Sequence, residues 1–146
     1  MMNKKGVTLI ELVVVFVIIA IGAVLIAPNI GAWLPRYRLR SATRDIASMM
    51  RTAQMKAVTT NMDYQVFFIG TGSYILRRNT GGWVDEGALQ TLPSGITFNT
   101  NFNPINEAIF RPNATSNGGR VVVQDPKGNQ RTITVLFTTG RISVNP

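Results

Sequence analysis

Two features near the amino end of the chain could do chemistry together. One is the Gly6-Val7 peptide bond, preceded by Lys4-Lys5; the other is a glutamate, Glu11, that follows four residues later. Glu11 stands in an apolar run whose continuation, residues 12–27, carries no polar side chain. A carboxylate in hydrocarbon costs up to about 2.5–3.5 kcal/mol on insertion scales, so something must offset it. Cleavage between Gly6 and Val7 would leave a positive α-amino group on Val7, with Glu11 one helical turn further on. That amine, in the same chain or in a neighbouring one, would meet the acid where the low dielectric strengthens their attraction.

The remaining inventory is poor in catalytic groups. The 146 residues include no histidine and no cysteine, which removes the commonest general base, nucleophile and zinc ligands together and precludes a disulfide framework. The sequence therefore reads as a non-enzyme without metal or cofactor. Trp83 beside Asp85 and Glu86 offers too few oxygens for calcium and reads as a surface loop. Gly81-Gly82 and Gly118-Gly119 lack the Lys-Ser/Thr of a phosphate cradle and read as turns. Net charge is +8, and part of it flanks the apolar run: Lys4 and Lys5 before it, Arg36, Arg38, Arg40 and Arg44 after it. Charges so placed suit lipid headgroups better than nucleic acid.

With residues 7–10 and 30–34 added, the apolar stretch is long enough to cross a bilayer as a helix. It is too long for the core of an ordinary secretory signal, and Ala27-Pro28-Asn29 is not a small-x-small cleavage site. Pro28, with Gly22, Gly31 and Pro35 around it, marks either the end of a membrane span or a helix that partly unwinds when chains pack together. Beyond Pro35 the spacing of Leu39, Ala42, Ile46, Met49, Ala53 and Ala57 predicts an amphipathic helix, with Arg40, Arg44, Arg51 and Lys56 on its solvated side. From about residue 63 the pattern predicts strands over 64–69, 73–78, 95–99, 108–111, 120–124, 132–137 and 141–144. Hairpin-like turns at 70–72, 125–129 and 138–140 imply antiparallel pairing, and the asparagine-rich segments 99–104 and 112–119 read as exposed loops. The expected fold class is α+β: a long amino-terminal helix whose second half packs on an antiparallel β-rich head.

The run Lys4-Lys5-Gly6-Val7-Thr8-Leu9-Ile10-Glu11-Leu12 resembles the prepilin processing signature of type IV pilin-like proteins. The resemblance implies a membrane peptidase that cuts after Gly6 and N-methylates Val7, an assembly salt bridge made by Glu11, and a helix break at Pro28. Val7 departs from the family's usual phenylalanine, which bears more on methylation than on cleavage. Residues 40–67 and the ending Phe137-Thr138-Thr139-Gly140-Arg141-Ile142 resemble GspH/FimT-type minor pilins and pseudopilins.

The implied organisation is a cleaved leader (1–6), a transmembrane assembly helix (7–35), an amphipathic helix on the head (36–60) and a β-rich periplasmic head (61–146). The implied partners are other pilin or pseudopilin subunits, the prepilin peptidase, inner-membrane lipid and the assembly platform of a type IV pilus or type II secretion machine. The chain would be a single-pass protein of the bacterial inner membrane before incorporation. Counting cations mildly favours the opposite topology, because Arg36, Arg38, Arg40 and Arg44 outnumber Lys4 and Lys5; the leader resemblance overrides that count. A second reading is DNA binding in uptake, which some FimT-like proteins support, through a basic patch of Arg111, Arg120, Lys127, Arg131 and Arg141.

Overall fold

A computed structural model describes the backbone of residues 7–26 and 30–146 and the side chains of residues 7–23 and 33–146. Gly6, Pro28 and the leader lysines lie outside the described residues. The chain divides into two units, Met1–Leu34 and Pro35–Pro146.

The first unit contains α1 (Leu9–Ile26). Thr8 opens it, accepting the Glu11 amide on its carbonyl at 3.1 Å and on its hydroxyl at 3.4 Å, which satisfies a first-turn donor. Valine and isoleucine dominate the helix, residues that favour helix only weakly in water. A medium that leaves backbone groups no other partner favours it strongly. Every large apolar side chain from Leu9 to Ile21 is exposed, on all sides of the helix.

The helix α2 (Ile30–Thr60) is continuous through Pro35, and its part beyond that residue supplies one wall of the head. Leu39, Ala42, Ile46, Ala47, Met50, Ala53 and Ala57 are buried there, with Thr43 between them donating its hydroxyl to the Leu39 carbonyl at 2.7 Å. The buried stripe follows the predicted spacing but is centred on Met50, with Met49 only partly covered.

Nine strands follow: β1 (Tyr64–Ile69), β2 (Ser73–Asn79), β3 (Trp83–Asp85), β4 (Gln90–Thr91), β5 (Thr97–Thr100), β6 (Glu107–Phe110), β7 (Gly119–Gln124), β8 (Gln130–Val135) and β9 (Ile142–Asn145). They form two antiparallel sheets. The first has the order β3-β2-β1-β6, with β4 also on β2; the second has the order β5-β7-β8-β9. The three predicted turns join β1 to β2, β7 to β8 and β8 to β9, so local pairing is the rule at each of them.

An aromatic cluster ties the two sheets together. Phe68 of β1 meets Phe98 of β5 edge-on at 5.0 Å between centroids and stacks on Phe102 at 6.2 Å. Phe102 lies so close over Gly119 that a Cβ there would come within 2.4 Å of its ring. The sheets are also joined through the backbone, where the Phe98 amide donates to the Thr71 carbonyl at 2.9 Å.

Three sequence expectations are corrected. Residues 99–104 are not simply an exposed loop, because β5 extends to Thr100 and Phe102 is buried in the core. Ser116, within the second expected loop, is fully buried: its amide donates to the Phe137 carbonyl at 3.0 Å and its hydroxyl to the Leu136 carbonyl at 2.9 Å. The segment around Trp83 is the edge strand β3, since Arg78 and Asn79 pair with Val84 and Trp83.

Candidate assembly site and basic surfaces

The first-turn geometry of α1 shows what the sequence reading missed at Glu11. Thr8-Leu9-Ile10-Glu11 has the S/T-x-x-E spacing of a capping box, and the Thr8 side of that box is formed. A carboxylate in the first turn also gains roughly 0.3–1 kcal/mol from the helix dipole. That is less than the up to about 2.5–3.5 kcal/mol cost of placing it in hydrocarbon, so capping alone does not account for an acid in this helix. No ion pair to Glu11 occurs among the described residues. Val7, immediately before the cap, is exposed.

Among the described residues no helix is long and apolar enough to cross a membrane. The 18 residues of α1 rise about 27 Å at 1.5 Å each, against roughly 30 Å of hydrocarbon. The apolar continuation over residues 24–32 lies outside the described side chains.

In the head, Asp85, Glu86 and Asp125 are used inside the fold. Lys56 of α2 donates to Glu86, whose second oxygen lies 3.8 Å from Arg78 Nε, and Arg77 Nε donates to Asp85 at 2.6 Å. The hydrogen bond from Lys56 is the main cause holding the Glu86 carboxyl below its usual range, and the same bond raises the Lys56 ammonium above its own. Lys56 is thus engaged and not part of a purely solvated basic face. Asp125 accepts from the Asn129 side chain at 2.8 Å and from the Asn129 and Lys127 amides at 2.9 Å, which locks the β7–β8 turn and lowers its carboxyl. No three acidic residues come together as metal ligands among the described residues.

Strand register separates the arginines that the sequence grouped. In the β7–β8 ladder Val121 faces Ile133 and Val123 faces Arg131, so Arg131 lies on the face that carries the buried core. Arg120 faces Thr134 on the opposite side, where it lines a hollow of about 520 Å³ with Asn99, Asn101, Val122 and Gln124. Arg111 donates to the Ser116 carbonyl at 3.0 Å. Arg141 is exposed beside Gly140, whose φ of 58° and close approach to Gln54 set the turn; Gln54 donates to the Thr139 carbonyl at 3.2 Å. Lys127 is exposed at the β7–β8 turn. Arg131 meets instead Arg36 and Arg40 of α2, around a smaller cavity of about 200 Å³.

Residues 1–27 match the prokaryotic N-terminal methylation motif, and residues 42–139 match the family described as type II transport protein GspH. The chain belongs to the GspH family. It is also 30% identical over 151 residues to the pilin-like protein PilA1 of Thermus thermophilus, covering 95% of this chain and 89% of that protein. The fold is shared with the type IV minor pilin FimU of Pseudomonas aeruginosa (TM-score 0.63, 15% identity, 76% of this chain and 90% of that one). It is shared equally with the minor pseudopilin EpsH of Vibrio cholerae (TM-score 0.63, 9% identity, 74% and 95%). This GspH-family chain is therefore a minor pilin or pseudopilin, a structural subunit of a class that assembles with other pilin subunits.

Proposed function

We propose that this chain is cleaved after Gly6, N-methylated on Val7, held in the inner membrane by residues 7–35 with its head in the periplasm, and then drawn by an assembly platform into a type IV pilus or type II secretion pseudopilus. The observation that carries this reading is α1 itself: apolar on every side, with every large apolar side chain from Leu9 to Ile21 exposed, and bearing one carboxylate at its first turn. A helix apolar all round needs burial from outside its own chain, by lipid before assembly and by neighbouring helices after it. Glu11 then supplies register. It is attracted to the terminal amine of the preceding subunit, and a misplaced subunit leaves it unpaired, so the same charge favours one docking position and penalises others. Pro28 would let the helix loosen locally where subunits pack.

Glu11→Val tests the proposal. Leader removal should continue, with the mature chain starting at Val7 by mass spectrometry, while incorporation into filaments falls at least about tenfold. Normal incorporation of the variant, or a mature terminus anywhere other than Val7, would overturn the reading. DNA binding in uptake is less well supported, because Arg120 and Arg131 lie on opposite faces of one sheet and Arg111 is engaged with Ser116. Failure of the purified chain to retard DNA at low salt would remove it.

A further inference from the structure

The arginines at the start of the head and Arg131 were assigned by sequence to different tasks, yet they share one cavity. It is lined by Arg36, Leu39 and Arg40 from α2, by Asn129, Gln130 and Arg131 from the β7–β8 turn and β8, and by Pro146. Arg36 and Arg40 are four apart on one helix face; Arg38, between them, points elsewhere and donates to Ser94 at 3.3 Å. We propose that this cavity binds the phosphodiester of an anionic phospholipid headgroup.

Three arginines border the cavity and none of the seven side-chain carboxylates lines it; the one acid at its edge, the Pro146 carboxylate, makes no ion pair among the described residues, so cations outnumber anions there. The nearest acid in sequence, Asp125, is consumed by its own turn, where it also fixes the Asn129 side chain. Like charges held around one hollow raise the free energy of the folded chain until an anion enters. Guanidinium forks match phosphate oxygens, and backbone and amide donors beside them complete such a site.

Lipid is favoured over nucleic acid by what surrounds the hollow. It holds a single cluster of cations and not a row at phosphate spacing, since Arg120 is on the other face of the sheet. On the same helix Trp33 and Tyr37 are exposed, at 63% and 55%, the first at the end of the apolar stretch and the second just beyond it. Aromatic rings at the end of an apolar run, followed by arginines, are the composition of a membrane interface. Before assembly the site would hold the head against the bilayer by a specific lipid, and extraction into a filament would release it. The inference rests on the membrane-anchored reading given above.

The test uses the full chain in a neutral detergent, with lipid retention measured by native mass spectrometry. Phosphatidylglycerol should be retained in preference to phosphatidylcholine, whose choline neutralises its own phosphate. Arg131→Gln should weaken retention about fivefold, and Arg36→Gln with Arg40→Gln about twenty-five-fold, while Arg120→Gln leaves it unchanged. Unaltered thermal unfolding of the variants keeps the comparison one of binding. Equal effects of Arg131→Gln and Arg120→Gln, or no preference for phosphatidylglycerol, would overturn the site. Arginine-dependent binding of inorganic phosphate without lipid retention, or displacement of lipid by a short DNA duplex at lower concentration, would overturn the lipid assignment. The two proposals fail separately: lipid selectivity with Glu11-independent incorporation sinks assembly alone, and Glu11-dependent incorporation without lipid selectivity sinks this site alone.

Discussion

The two helices carry apolar side chains with opposite fates. In α1 every large apolar side chain from Leu9 to Ile21 is exposed, whereas on α2 Ala42, Ile46, Ala47, Met50, Ala53 and Ala57 are fully buried by the chain's own sheets. Periodicity makes the difference. The α2 stripe recurs every three or four residues, which leaves an opposite polar face and allows one sheet surface to cover it. An unbroken apolar run has no polar face to leave in water, and no single surface of its own chain could cover it. The first pattern stabilises a fold; the second makes a demand on something outside the molecule.

That contrast can be broken by variants whose effects should differ in kind. The largest expected change in head stability is from Phe68→Ala, which removes the ring that joins both sheets through Phe98 and Phe102; about 3–5 kcal/mol should be lost in urea unfolding of the full chain. Gly140→Ala should cost roughly 2 kcal/mol, because the residue adopts φ of 58° and its Cβ would come within 2.7 Å of the Ala114 carbonyl oxygen and the Gln54 amide.

A smaller effect is expected at the ion pair on the helix. The Glu86 carboxyl is lowered in the folded head, so its contribution is present above the ordinary value of 4.5 and is lost as pH falls through the lowered one. Acid titration of stability should therefore show a declining limb below about pH 4.5, and Glu86→Gln should flatten it in part, with Asp125 supplying the remainder. An unchanged acid limb would mean that the pair does not hold in solution. The smallest stability effect belongs to Val14→Ala on α1, within about 0.5 kcal/mol for the head, although incorporation into filaments should still fall. A large loss of head stability from Val14→Ala would contradict the division between the two regions.

Sequence and tertiary structure contributed differently to the two basic surfaces. Lys4 to Leu12, the turns at 70–72, 125–129 and 138–140, and the α2 stripe were legible because caps, turn residues and helical periodicity act over a few neighbouring positions. The strands β3 and β4 were not legible. At three and two residues they are too short to show alternation, and they exist because β2 offers an edge to pair with. Ser116 was misread for a related reason, since its burial depends on carbonyls twenty residues away in the chain.

By itself, the sequence determined the pilin-like beginning, the α+β class and the absence of histidine and cysteine chemistry. Only the tertiary structure decided which arginines meet. Side chains alternate across a strand with a period of two, so the face on which Arg120 or Arg131 lies depends on register, and register is set by pairing with distant strands and by the helix that covers one side. A one-residue shift would exchange the two surfaces and put Arg120 where Val121 is buried, so the burial of one face holds the register that decides which arginines meet.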